Sequence, residues 1–189
     1  MFPCLPMMKN DIRKELIRLR IAVCPGSFDP VTFGHRDIIH RASVLFDKVI
    51  VLVAINKMKT PVFTPEERVE MIKKVTADFE NVEVDVCYGL ISDYVREVGA
   101  VAIVKGLRAV TDFEYEFQMA LVNRNIYDGA ETVFLTTSSE NMYLSSSVVK
   151  QVAYYGDDPV GSPSTKGLSS LCPFMASTIC FAAQRLIFS

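Results

Sequence analysis

A chain of 189 residues, half of them hydrophobic, is long enough for one domain with a substantial buried core. Its net charge of −2 argues against a nucleic-acid-binding surface, which carries a basic excess, and its two histidines exclude a His-rich metal cage. The five cysteines (Cys4, Cys24, Cys87, Cys172 and Cys180) form no CxxC pair, and their odd number fits a reduced, intracellular protein better than a disulfide scaffold.

Residues 1–19 read as an N-terminal extension. The apolar Met1–Met8 is broken by Pro3 and Pro6, and the densely charged run Lys9–Arg20 follows it, the reverse of a secretory signal. The next unit, residues 20–157, alternates strand and helix patterns. Ile21–Cys24 is a first strand, and Pro25–His35 a loop with two glycines and two prolines. Residues 35–46 form a helix with Ile38, Ile39, Ala42, Leu45 and Phe46 on one face. Val49–Ile55 is a continuous apolar run, as expected of a strand buried on both faces. Thr64-Pro65-Glu66-Glu67 then supplies an N-cap, a proline at the first helical position and a reciprocal Glu, with Val69, Met71, Ile72 and Val75 as the apolar positions.

Val82–Val86 alternates strictly, as an edge strand does. A short helix over 90–98 ends at Gly99, and Val101–Val104 is another buried strand. Thr111-Asp112-Phe113-Glu114 reads as a second capping box, opening a helix through about Asn125. Thr132–Leu135 is the fifth strand, and Ser145-Ser146-Ser147 opens a helix through about Tyr155. Residues 158–189 form an atypical tail: a Gly-, Pro- and Ser-rich stretch to Ser170, then Leu171–Ala183, which is too short to span a membrane. Five strands separated by helices predict an α/β fold of Rossmann-like, doubly wound form, a parallel sheet with helices on both faces. In such sheets ligands bind beyond the carboxyl ends of the strands where the strand order reverses, so the loops around Ser27–His35 and Lys105–Arg108 should share one crevice.

Those loops carry groups suited to phosphate. His35 falls at a helix start, where unpaired N–H groups and the positive dipole end favour anions. Thr32, Ser27 and the backbone N–H of Phe28 are further donors. Lys105 is a mobile point charge, and Arg108 a planar fork for two oxygens. Lys57 and Lys59 follow the second strand, and the three serines 145–147 offer hydroxyls and N–H groups. Each has a plainer reading: Arg108 pairing with Asp112 or Glu114, solvated lysines, serines that only cap a helix. The chain has no GxxxxGK[ST], no GxGxxG and no GxSxG motif, and Cys24 sits inside an apolar strand as a poor nucleophile. What remains is a set of cations and donors without a covalent nucleophile, which suits direct displacement at phosphorus.

The stretch PGSFDPVTFGH, residues 25–35, resembles the TxGH form of the HxGH signature of the nucleotidyltransferase superfamily. KGLRAVTDFEYEFQMALVNR, residues 105–124, and SSSVVK, residues 145–150, resemble the bacterial phosphopantetheine adenylyltransferase family within it. The resemblance runs from about Arg20 to about Asp157. It implies transfer of AMP from ATP to 4′-phosphopantetheine with Mg²⁺, giving dephospho-coenzyme A and pyrophosphate. It also implies a cytoplasmic homohexamer, with coenzyme A as a candidate feedback ligand.

By the same resemblance His35, Lys59 and Arg108 are the catalytic residues. Ser27, Phe28, His35, Gly106, Leu107, Arg108 and Glu116 contact ATP, as does the segment Asn141, Met142, Tyr143, Leu144, Ser145, Ser146 and Ser147. Ser27, Lys59, Ile91 and Lys105 serve the acceptor, with no protein metal ligand assigned. Three departures stand out: Lys105 where the family usually has Arg, Tyr154 where a basic residue is common, and a segment after Gly156 unlike the family's. Two competing readings are a related nucleotidyltransferase acting on another phosphate acceptor and a nucleotide-binding module without turnover.

Overall fold

The computed structural model describes residues 19–56, 58, 60–143 and 145–156; for residues 110, 111 and 152–156 it describes the backbone alone. The N-terminal extension before residue 19, the tail from residue 157, Lys57, Lys59, Leu144 and the side chain of Tyr154 therefore lie outside the described residues.

Five parallel strands form one sheet in the order β3-β2-β1-β4-β5: β1 (Ile21–Gly26), β2 (Lys48–Ala54), β3 (Val82–Cys87), β4 (Ala102–Leu107) and β5 (Glu131–Thr136). The helices between and after them are α1 (Phe33–Leu45), α2 (Pro65–Val75), α3 (Ile91–Glu97), α4 (Val110–Ile126) and α5 (Ser146–Gly156). Alternation along each strand sends side chains to opposite faces and divides the core in two. On one face Ala22, Cys24, Val49, Val51, Val53 and Val104 pack against Ile38, Ile39 and Ala42 of α1 and Met71, Ile72 and Val75 of α2. On the other, Val23, Ile50, Leu52 and Ile103 pack against Val95 of α3 and Ala100 and Ala130. β3 is an edge strand whose first four residues alternate between half-buried and exposed, as its sequence predicts.

The Thr64 capping box is present, with Thr64 Oγ1 accepting the Glu67 N–H and the Glu67 carboxylate accepting the Thr64 N–H. The expected box at Thr111 is not: α4 begins at Val110, with Ala109 at the N-cap and no capping side chain. Leu45, the last residue of α1, is exposed rather than in the core, while Ala42 before it is buried and Phe46 after it packs against the core. Two strands run further than the apolar runs suggest. β1 continues through Pro25 and Gly26, paired with Leu52 and Val53, and β4 continues through Lys105, Gly106 and Leu107, paired with Phe134, Leu135 and Thr136. Those residues are strand ends, not loop.

That extension shapes the molecule. β1 pairs with β4 only at Ala22–Ala102 and Val23–Ile103, whereas each is paired with its other neighbour to its end. The two central strands therefore separate past Val23 and Ile103, where the order of the sheet reverses. Pro25, which has no N–H to donate, is tolerated in a central strand because its β4 side carries no ladder there.

Candidate active site

A cavity of about 590 Å³ opens where β1 and β4 part. One wall is Cys24–Phe28 with Thr32, Gly34 and His35; the opposite wall is Val104–Gly106 and Arg108 with Asp112, Tyr115 and Glu116 of α4. Ser145–Ser147, Asn56 and Ile91 complete it. The sequence-predicted residues Ser27, Phe28, His35, Ile91, Lys105, Gly106, Arg108, Glu116 and Ser145–Ser147 thus share one space. Leu107 does not line it; its carbonyl accepts the Thr137 N–H within the sheet. Asn141, Met142 and Tyr143 also lie off the wall. Asn141 ends a single 3₁₀ turn, its Nδ2 donating to Ser138 Oγ, and the two residues after it are exposed. Lys59 and Leu144 fall outside the described residues.

His35 sits at the third position of α1, not at its cap. Thr32 is the N-cap, with Oγ1 accepting the His35 N–H at 3.4 Å. In return His35 Nδ1 accepts the Thr32 backbone N–H at 3.0 Å, so imidazole takes the reciprocal role that Glu plays at Thr64. An accepting Nδ1 leaves the ring proton on Nε2, which fixes the tautomer. Burial holds the pKa down at about 4, helped by the Arg108 charge, and the ring of Phe28 lies edge-on at 5.1 Å. His35 is thus a neutral, oriented Nε2–H donor and not a third cation beside Lys105 and Arg108.

The two described cations in the cavity wall are paired. Arg108 Nε and Nη2 donate to the Asp112 carboxylate at 3.0 and 3.2 Å. Lys105 Nζ lies 3.1 Å from Glu116 Oε2. Both charges are thus held by carboxylates of α4. Burial pushes the Cys24 thiol up to about 12, which removes it as a nucleophile.

The loop Gly26–Pro30 is anchored from three segments of the chain, and of the anchors Arg68 lies outside the motifs that the sequence offered. Asp29, buried and followed by a cis peptide to Pro30, accepts the N–H groups of Val62 and Phe63 and pairs with Lys150 of α5 at 3.0 Å. Ser146 Oγ donates to the Pro30 carbonyl at 2.8 Å. Arg68 of α2 donates from Nη1 to the Ser27 carbonyl at 3.0 Å. A charged position inside the buried stripe of α2 is the one signal that could have pointed to Arg68. Two glycines are required by close approach: a Cβ at Gly26 would lie 2.9 Å from the Phe28 ring, and one at Gly106 would lie 2.9 Å from Ile38 Cγ1 of α1.

Among the described residues no group of three His, Cys, Asp or Glu side chains could hold a metal ion, and no helix is long and apolar enough to cross a membrane.

A family model described as cytidylyltransferase-like matches residues 23–152. A phosphopantetheine adenylyltransferase of Caldanaerobacter subterraneus is 56% identical over 138 residues, which span 73% of this chain and 86% of that protein. One from Rubrobacter xylanophilus is 54% identical over 143 residues, 76% of this chain and 87% of that protein. Among solved structures, the Plasmodium falciparum nicotinic acid mononucleotide adenylyltransferase complexed with NaAD superposes with a TM-score of 0.60 at 12% identity, over 90% of this chain and 95% of that one. A putative nicotinate-nucleotide adenylyltransferase from Vibrio parahaemolyticus gives 0.57 at 17% identity, over 80% and 92%. At such identities the structures speak to the fold: the same parallel sheet with its helices.

Proposed function

The chain belongs to the phosphopantetheine adenylyltransferase family, and from that premise we propose that its cleft transfers AMP from ATP to 4′-phosphopantetheine, giving dephospho-coenzyme A and pyrophosphate in coenzyme A biosynthesis. An oxygen of the 4′-phosphate attacks the α-phosphorus of ATP in line. A new P–O bond forms, the bond from that phosphorus to the bridging oxygen breaks, and pyrophosphate leaves with the electron pair. The attacking phosphate is already an anion, so the protein needs no base; its work is positioning and charge stabilisation. The observation that carries this reading is the gathering of Ser27, His35, Lys105, Arg108 and Ser145–Ser147 around one cavity, in a chain 56% identical over 138 residues to a phosphopantetheine adenylyltransferase.

His35 donates its Nε2–H to an oxygen of the α-phosphate. The dipole of α1, fixed by the Thr32–His35 box, points the same way. Arg108 keeps one edge on Asp112 and offers the other to the ATP phosphates. Lys105, tethered by Glu116, faces the gap between the two substrates; the usual Arg there would add a second donor edge. Ser27, Phe28, Gly106, Glu116 and the serines of α5 line the nucleotide side, and Ile91 the pantetheine arm. Lys59 serves as the acceptor-side cation, on the segment that follows the cavity residue Asn56.

Mg²⁺ would arrive bound to the phosphates of ATP, which it partly neutralises. Among the described residues the carboxylates lining the cavity are Asp112, hydrogen-bonded by Arg108, and Glu116, ion-paired with Lys105, which does not fit a protein-held ion. Two buried free thiols, Cys24 and Cys87, support a reducing, cytoplasmic setting. Phe113, Phe117 and Leu121 follow one another at four-residue spacing on α4 and are all exposed, which supports a homo-oligomer, with six copies implied by the family. Coenzyme A, which combines adenylate and pantetheine, would compete for the same cleft as a feedback ligand.

The test is pyrophosphate release from ATP across a panel of phosphate acceptors. Release with 4′-phosphopantetheine alone is expected. Preference for another phosphomonoester would make the chain a sister nucleotidyltransferase, and ATP binding without release would make it a non-catalytic module.

A further inference from the structure

Arg68 is only 3% exposed, yet no salt bridge joins it to a carboxylate among the described residues. Its hydrogen bonds run to two backbone carbonyls, Thr64 O from Nε at 3.3 Å and Ser27 O from Nη1 at 3.0 Å. A buried guanidinium held by neutral dipoles alone is an expensive arrangement, and such groups normally sit against an anion. The nearest cavity-lining segment is the one Arg68 touches, Ser27–Phe28.

The geometry of that peptide says what the contact does. In a trans peptide the C=O and the N–H point in opposite directions. With the Ser27 carbonyl held on Arg68, the Phe28 N–H points away from the guanidinium. Among the described residues that N–H makes no hydrogen bond. Phe28 also has φ of +48°, a left-handed conformation that a bulky side chain rarely adopts, while its ring is buried over Gly26 and edge-on to His35. The ring anchors the residue, and Arg68 sets the rotation of the peptide that precedes it.

We propose that Arg68 is a positioning residue for nucleotide transfer: by holding the Ser27 carbonyl on the core side it aims the Phe28 N–H at a phosphate of the bound nucleotide. This rests on the reading of the cleft as an ATP site.

A double-mutant cycle between Arg68 and the Phe28 amide tests it. Arg68→Lys keeps a charge but loses the fork that spans Ser27 O and Thr64 O. An amide-to-ester replacement at Phe28, made by incorporating phenyllactic acid, deletes the N–H and keeps the ring. Arg68→Lys should lower kcat/KM for ATP by about tenfold in the amide protein, with KM for 4′-phosphopantetheine nearly unchanged, and by less than about threefold in the ester protein. An equal loss in both backgrounds means that Arg68 acts on stability or elsewhere, and overturns the proposal. So does a change of less than about threefold from Arg68→Lys in the amide protein. If Arg68→Lys does not fold, the ester alone decides: about a tenfold loss supports the aimed N–H, and near-parental turnover refutes it. If the parent chain forms no dephospho-coenzyme A, the assigned reaction has failed independently; the same cycle is then read on ATP affinity by calorimetry, with the same coupling expected.

Discussion

His35 shows how a single side chain can hold two roles at once. Its Nδ1 closes the capping box with Thr32, and that bond leaves Nε2 as the proton-bearing nitrogen. Substituting His35 by Ala should lower kcat by about 10²–10³, the scale for losing one oriented donor at a transition state. Steady-state kinetics checks it, and near-normal turnover would remove the role. The same residue predicts a pH dependence of stability. In the folded chain burial depresses the pKa from its ordinary 6.5 to about 4. Between those values the unfolded chain takes up the proton and the folded chain does not. Stability should therefore rise with pH through that window and lose this contribution as pH falls through it. Urea titrations of the parent and of His35→Gln measure it; the variant should lack that part of the slope. That His35 lies beside the crevice was legible in the sequence. Its protonation state was not, because desolvation and the nearby Arg108 exist only in the folded chain.

Secondary-structure elements were most legible where their signals are local. The Thr64–Glu67 box was read correctly because both partners lie within one turn and every bond is made inside the motif. Thr64→Ala should cost about 1 kcal/mol of stability, measured by denaturant unfolding, with little change in turnover. An unchanged midpoint would mean that packing of α2 on β2 and β3, not capping, determines where the helix starts. The similar pattern at Thr111 misled because the start of α4 follows from its neighbours. β4 runs on to Leu107, and Arg108 then pairs with Asp112, so the helix begins two residues early with an uncapped Ala109. The strands outrun their apolar runs for a related reason. Pro25, Gly26 and Lys105 do not look like strand residues, and only pairing with β2 and β5 makes them so.

At the scale of the whole molecule the exposed stripe on α4 is the feature that a lone chain leaves unexplained. Phe113 and Phe117 stack at 5.5 Å, and Leu121 continues the row, each roughly half exposed. Substituting Phe117 by Glu should shift the sedimentation of the protein toward smaller species, since a charge in a covered apolar face is costly to bury. A parent that already sediments as a monomer at micromolar concentration would show that the stripe is not an interface between copies. The sequence by itself determined the order of strands and helices, the parallel sheet, the crevice side and most of the residues around it. Those depend on hydrophobic period, turn residues and the alternation of strand with helix, all written along the chain. The pairing of Arg108 with Asp112, one helical turn away, was among the readings the sequence offered. The tertiary structure alone decided the parting of β1 and β4, the tie of Lys105 to Glu116, the neutrality of His35 and the buried Arg68 beneath the Ser27–Phe28 peptide. Each of these joins segments distant in sequence or depends on exclusion of water, and neither distance nor dielectric environment can be read from residue order.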